Sequence, residues 1–141
     1  MDRSLKAKRD CVVLLAVAMS LSVSAFAGEY SLSFEWGDIP LCTSGSPNTV
    51  PNPRFVLTDV PKGTKFIEFT MTDLDVPSYH HGGGTVEYAG KDVIEPGAFT
   101  YKSPCPPGGS HRYEWKAVAK EKTGFFSGSL GTAKAVKSYP K

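Results

Sequence analysis

The chain has 141 residues, with 16 lysines and arginines against 14 aspartates and glutamates, a formal charge of +2 at pH 7. Its length suits one domain with a modest core. Beyond the first ten residues the charge is balanced and shows no basic cluster, which argues against nucleic acid and anionic membrane surfaces as main partners.

Met1 to Ala27 reads as a secretory leader. Arg3, Lys6, Lys8 and Arg9 form a basic start, Val12 to Met19 an apolar run, and Ala25-Phe26-Ala27 an Ala-x-Ala cleavage site. The competing reading is a membrane anchor, but Ser20, Ser22 and Ser24 interrupt the apolar run short of a full span. The expected product is a single domain over 28–141, periplasmic or secreted after cleavage near Ala27. Four cations against Asp2 and Asp10 account for the whole positive excess, so that domain is formally neutral. No second apolar run follows, and the domain is not expected to span a membrane.

Tyr30 to Trp36 alternates apolar and polar residues, the mark of a half-buried strand. Glycines and prolines predict a loop from Gly37 to Pro53, then a short strand over Arg54 to Thr58. Val60-Pro61-Lys62-Gly63-Thr64 reads as a turn. Lys65 to Thr72 is the strongest strand, with Ile67, Phe69 and Met71 on one face. It delivers Asp73 and Asp75 at its end, in the stiff stretch Asp73-Leu74-Asp75-Val76-Pro77-Ser78-Tyr79-His80-His81-Gly82-Gly83-Gly84. Shorter strands are predicted over Thr85 to Tyr88 and Phe99 to Lys102.

The second stiff stretch, Pro104-Cys105-Pro106-Pro107-Gly108-Gly109-Ser110, feeds a strand beginning at His111. Prolines fix φ there and two glycines permit a reversal. His111, Tyr113, Trp115 and Ala117 share one face of that strand; Arg112, Glu114 and Lys116 share the other. Leu130 to Tyr139 is expected to close the sheet, although its alanines and lysines suit a helix equally well. Many short strands with Gly/Pro-rich turns and no sustained helical periodicity predict an antiparallel β-sandwich.

Of the chain's three histidines, His80 and His81 fall in the first stiff stretch and His111 directly follows the second. Asp73, Asp75, His81 and His111 could hold an anion, the carboxylates orienting imidazoles beside the N–H groups of glycine loops. They could equally bind a metal, or form a solvated cluster. Cys42 and Cys105 remain after leader removal, and an oxidising compartment favours one bridge between them. The alternative is two buried thiols that never meet, and Cys105 could then serve as a nucleophile with His111 as base. His81-Gly82-Gly83-Gly84 also resembles the oxyanion-hole segment of lipase-like esterases, but the Gly-x-Ser-x-Gly elbow that chemistry needs is missing from the sequence. Three successive glycines instead predict a close backbone approach or a bulge.

The Asp-x-Asp-x-Pro turn (Asp73, Asp75, Pro77), a following His81 or His80, and the run Pro106, Pro107, Gly108 to His111-Arg112-Tyr113 resemble the phosphatidylethanolamine-binding protein family. That family includes the Raf kinase inhibitor proteins and small bacterial relatives. The matching order extends from about Ile39 to Lys120. Leu74 stands where the family usually has proline, and Gly82 to Gly84 replace the apolar residues that commonly follow the pocket histidine.

The resemblance implies a β-sandwich dominated by strands, here with few or no peripheral helices. It implies a non-catalytic pocket for a phosphate or phosphate headgroup, with no cofactor and no metal. His111 and His81 would donate to the anion and Tyr113 would add a hydroxyl. Asp73 would orient an imidazole and Asp75 would be a second orienter, while Pro77, Pro107 and Gly108 would shape the rim. His80 would be an exposed neighbour. The resemblance leaves two other functions open: modulation of a protein partner, as relatives restrain kinases or proteases, and a metal-dependent enzyme on the same His/Asp cluster.

Overall fold

The computed structural model describes residues 28–141. The predicted leader lies outside the described residues. Nine strands follow in chain order: β1 (Ser31–Glu35), β2 (Thr49–Pro51), β3 (Arg54–Thr58), β4 (Phe66–Asp73), β5 (His80–Glu87), β6 (Val93–Ile94), β7 (Thr100–Lys102), β8 (His111–Lys120) and β9 (Gly131–Tyr139). No helix occurs among the described residues. Every strand pairing is antiparallel, in sheets ordered β1-β3-β6, β2-β7 and β5-β4-β8-β9.

Alternation dictates the inner faces. β4 buries Ile67, Phe69, Met71 and Asp73, and β8 buries Tyr113, Trp115, Ala117 and Ala119. Leu32 and Phe34 of β1 and Phe55 and Leu57 of β3 face them. Phe55 stacks on Phe69 at 4.4 Å between centroids and meets Trp115 edge-on at 5.0 Å, so the two larger sheets pack face to face.

The structure revises several sequence expectations. β2 lies inside the predicted 37–53 loop, and β6 lies between two predicted strands. Both are two or three residues long and exist because a partner strand, β7 or β3, supplies the ladder. β5 begins at His80 and not at Thr85, so the three glycines are strand residues. Over 131–139 the ambiguity between helix and strand resolves to strand. Full-length pairing with β8 buries Ala133 and Tyr139 and leaves Lys134 exposed.

Candidate functional site

β4 and β8 pair with Asp73 opposite Tyr113, which places His111 just beyond the end of β4. Asp73 is the pivot. Its Oδ1 accepts the backbone N–H groups of Asp75 (2.9 Å) and Val76 (3.0 Å), closing the turn that leaves the strand. Its Oδ2 accepts a hydrogen bond from His111 Nδ1 at 2.7 Å. The carboxylate is 6% exposed, so its charge is spent on these donors more than on water.

A bulge in β5 brings in the second histidine. Thr70 faces Gly83 while Thr72 faces His80, so β5 carries one residue more than β4 over this span. Gly82 takes a φ of 82°, which glycine adopts without penalty. The extra residue inverts the alternation. Without it His80 would face Asp73 on the inner side; with it His81 turns inward, buried at 3%, and His80 stays exposed.

His81 Nδ1 lies 2.8 Å from the Lys102 carbonyl oxygen, which can only accept. The proton therefore sits on Nδ1, and Nε2 is the polar atom left for the cavity. Burial lowers the His81 pKa, with the Lys102 carbonyl and Asp73 opposing that effect. The expectation of His81 as an anion donor is thereby revised. At neutral pH its ring offers a lone pair, because a charged imidazole at this site would lose its hydration.

The rings of His81 and His111 both approach the Tyr113 ring, at 5.4 and 6.3 Å between centroids. Tyr113 is fully buried, and burial followed by the charge of Asp73 pushes its phenol pKa up, so the hydroxyl stays protonated. Tyr79 packs edge-on against His81 at 4.7 Å.

Together these side chains line a cavity of about 180 Å³. At roughly 30 Å³ per water this is room for about six waters, the scale of a headgroup and not of a whole lipid. Its far wall comes from two loops joined by the Cys42–Cys105 disulfide. One contributes Gly45 and Pro47, the other Cys105, Pro106 and Pro107.

Asp73, His81, Pro107, His111 and Tyr113 thus line one cavity. Asp75, Pro77 and Gly108 do not line the cavity. The Asp75 carboxylate turns to Arg112, accepting its backbone N–H at 2.7 Å and its guanidinium at 3.3 Å. Those two bonds hold the Asp75 pKa below the usual carboxylate range, and Asp75 does not act as a second imidazole orienter. Pro77 and Gly108 are exposed loop residues. Val76, Tyr79, Gly45, Pro47 and Pro106 were not anticipated as lining residues. Tyr79 carried a legible signal, an aromatic two residues before the histidine in a proline-stiffened stretch. Gly45 and Pro47 carried none, because a disulfide 63 residues long in sequence brings them there.

The sulfur of Cys105 is bound to Cys42, so it is not available as the nucleophile of a Cys–His pair. Among the described residues no group of three or more His, Cys, Asp and Glu side chains is arranged to hold a metal ion. A protonated His111 offers a charge-assisted Nε2–H, its imidazolium stabilised from behind by Asp73.

No protein-family model and no curated protein sequence matches the chain. Solved structures do. The chain is similar to the phosphatidylethanolamine-binding protein homolog CT736 from Chlamydia trachomatis, with a TM-score of 0.56 and 18% identity over 80% of this chain and 98% of that one. It is also similar to Escherichia coli YbcL, described as a new member of the mammalian phosphatidylethanolamine-binding protein family, with a TM-score of 0.57 and 18% identity over 79% and 98%. The chain has the fold of these proteins.

Proposed function

We propose that this protein is a non-catalytic binding protein of the phosphatidylethanolamine-binding type, acting after export, whose cavity holds a small phosphate-like anion. The observation that carries the reading is the Asp73–His111 pair at a headgroup-sized cavity that His81 and Tyr113 also line. Asp73 fixes Nδ1 as the protonated nitrogen, which leaves His111 Nε2 to meet the ligand. The turn N–H groups and His111 Nδ1 donate to Asp73, which occupies both carboxylate oxygens with protein donors. The fold shared with the two bacterial proteins supports this reading of the cavity.

Isothermal titration with inorganic phosphate tests it. Binding should be weak and should weaken at higher pH, since a neutral His111 has no second N–H to donate. His111→Ala removes one charge-assisted hydrogen bond, worth about 1.5–3 kcal/mol, and should reduce affinity by about tenfold or more. His80→Ala should leave it unchanged. Equal losses at the two positions would show that surface charge, and not a pocket, holds the anion.

A further inference from the structure

The loop between β8 and β9 displays the most exposed aromatic side chains among the described residues. Phe125 is 96% and Phe126 97% exposed, and the next Phe, Tyr or Trp in rank is Tyr79 at 40%. Phe34, Phe55 and Phe69, by contrast, are buried in the sandwich. Two adjacent phenylalanines left in water add nothing to that core and lower solubility.

The turn that carries them is closed and firmly based. Ser127 donates its backbone N–H to the Gly124 carbonyl at 3.1 Å and its hydroxyl to the same oxygen at 2.6 Å. Phe125 and Phe126 thereby occupy the two central positions of a four-residue turn. Gly124 enters it with a φ of 110°, a value that side chains disfavour. The two rings meet edge to face, 5.2 Å apart and at 87°, and form one apolar prong at the apex. At the base, the Leu130 N–H donates to the Ala119 carbonyl at 2.8 Å, and the Lys65 N–H to the Lys120 carbonyl at 2.9 Å.

Independently of the anion reading, we propose that this prong is a membrane-anchoring tip, inserting Phe125 and Phe126 into the interface of an electrically neutral phospholipid bilayer. Area and shape choose this occupant. Two phenylalanines can hide about 300–500 Å², short of the roughly 800 Å² that each partner gives to a stable protein interface. A tip-to-tip pair of copies therefore has too little contact to hold. A convex prong also requires a matching recess in a protein partner, whereas a bilayer interface accepts an apolar side chain of any shape.

Charge sets the lipid class. Lys65 pairs with Glu121 at 3.8 Å and Lys120 with Glu68 at 2.8 Å, while Lys62 shares a cleft with Glu29 and Asp59. Lys122 makes no ion pair among the described residues. This end of the molecule is thus close to balanced, too weakly cationic for an anionic surface to drive binding. Lys122 can still lay its stem beside the rings and reach a phosphate oxygen with its ammonium. β8 runs from His111 at the cavity to Lys120 at the hairpin, about 30 Å of strand, so tip and cavity can be occupied at once.

Flotation with phosphatidylcholine vesicles tests the proposal. The protein used is the leader-free chain over 28–141, which carries the whole described fold, because the leader's own apolar run would bind lipid. Two inserted rings should anchor no more strongly than one acyl chain, an association constant of at most about 10⁴ M⁻¹. Phe125→Ser combined with Phe126→Ser should weaken binding by at least about tenfold, with the unfolding midpoint unchanged because both side chains are exposed. Raised salt should have little effect. His111→Ala should float like the unmodified protein, since the cavity lies at the other end of β8. Phe126→Trp gives a second readout: Trp36 and Trp115 are buried, so a blue shift on adding vesicles reports the tip. Full binding by the double serine variant overturns the proposal, as does an emission that vesicles do not shift. Loss of binding in His111→Ala overturns it by placing the lipid contact at the cavity. Binding that needs anionic lipid and vanishes at high salt overturns it in favour of surface charge. Absence of vesicle binding overturns it as well, and self-association abolished in the double serine variant would then make the tip a contact between copies.

Discussion

At the scale of single residues, the site turns on which nitrogen each imidazole has already committed. Asp73 takes the Nδ1–H of His111, and the Lys102 carbonyl takes the Nδ1–H of His81. The first partner is an anion and tolerates a charged ring; the second is a neutral dipole in a buried place. This difference has a consequence for stability. Because burial lowers the His81 pKa, the unfolded chain binds that proton more readily than the folded one. Its contribution is fully present above about 6.5, the ordinary imidazole value, and is lost as pH falls through the depressed folded value. In phosphate-free buffer the urea midpoint should drop between pH 7 and pH 5, and drop less in His81→Gln. The lowered carboxyl of Asp75 acts in the same direction but over a more acidic range, below about pH 4, so the two effects separate on a pH series. An unchanged midpoint from pH 7 to pH 5 would contradict the buried, neutral assignment of His81.

At the scale of elements, β5 is the strand that the glycines make possible. A Cβ on Gly83 would overlap the Phe69 carbonyl oxygen of β4, and a Cβ on Gly84 would overlap the Phe99 ring. Gly82 is a different case: its positive φ disfavours a side chain, but the space around it is open. These facts predict unequal costs for the same substitution. Gly82→Ala should cost about 1 kcal/mol, for the backbone conformation alone. Gly83→Ala meets main chain that cannot rotate away, and should cost about 3 kcal/mol while loosening the β4–β5 ladder. Denaturant unfolding of the two variants checks this. Amide exchange across Thr70 and Gly83 should speed up only in the Gly83 variant. Similar costs at both positions would mean that β5 is free to shift sideways and does not fix His81.

At the scale of the whole molecule, the disulfide joins the loop after β1 to the loop before β8 and so builds the cavity wall opposite the histidines. Neither loop has a ladder of its own where the wall stands, from Gly45 to Pro47 and from Cys105 to Pro107. Replacing both cysteines by serine should lower stability by about 2–4 kcal/mol, chiefly by freeing the unfolded chain. It should also weaken phosphate binding. The sandwich itself should persist, because the aromatic contacts of Phe55 with Phe69 and Trp115 do not involve the loops. Circular dichroism, thermal unfolding and phosphate titration on the double variant separate the two effects. Intact phosphate affinity with reduced stability would show that the bridge serves the fold and not the site.

Strand identity was legible wherever burial alternated along a single strand, as in β1, β3, β4 and β8, because period-two patterning is a property of local sequence. The Asp73–His111 pair was legible too, since a carboxylate at one strand's end and a histidine at another's start need only antiparallel pairing to meet. β2 and β6 were not, for a two- or three-residue strand has no pattern and exists only where a partner supplies hydrogen bonds. Nor could sequence choose between His80 and His81. That choice belongs to a single inserted residue at Gly82, which inverts the faces of β5 relative to β4. Likewise the proton on His81 was placed by the carbonyl of Lys102, 21 residues away. Sequence by itself determined the fold class and the residue types at the site, because both follow from local patterning and composition. Tertiary structure decided which face each histidine takes and which atom it offers, because those depend on pairing register and on neighbours remote in the chain.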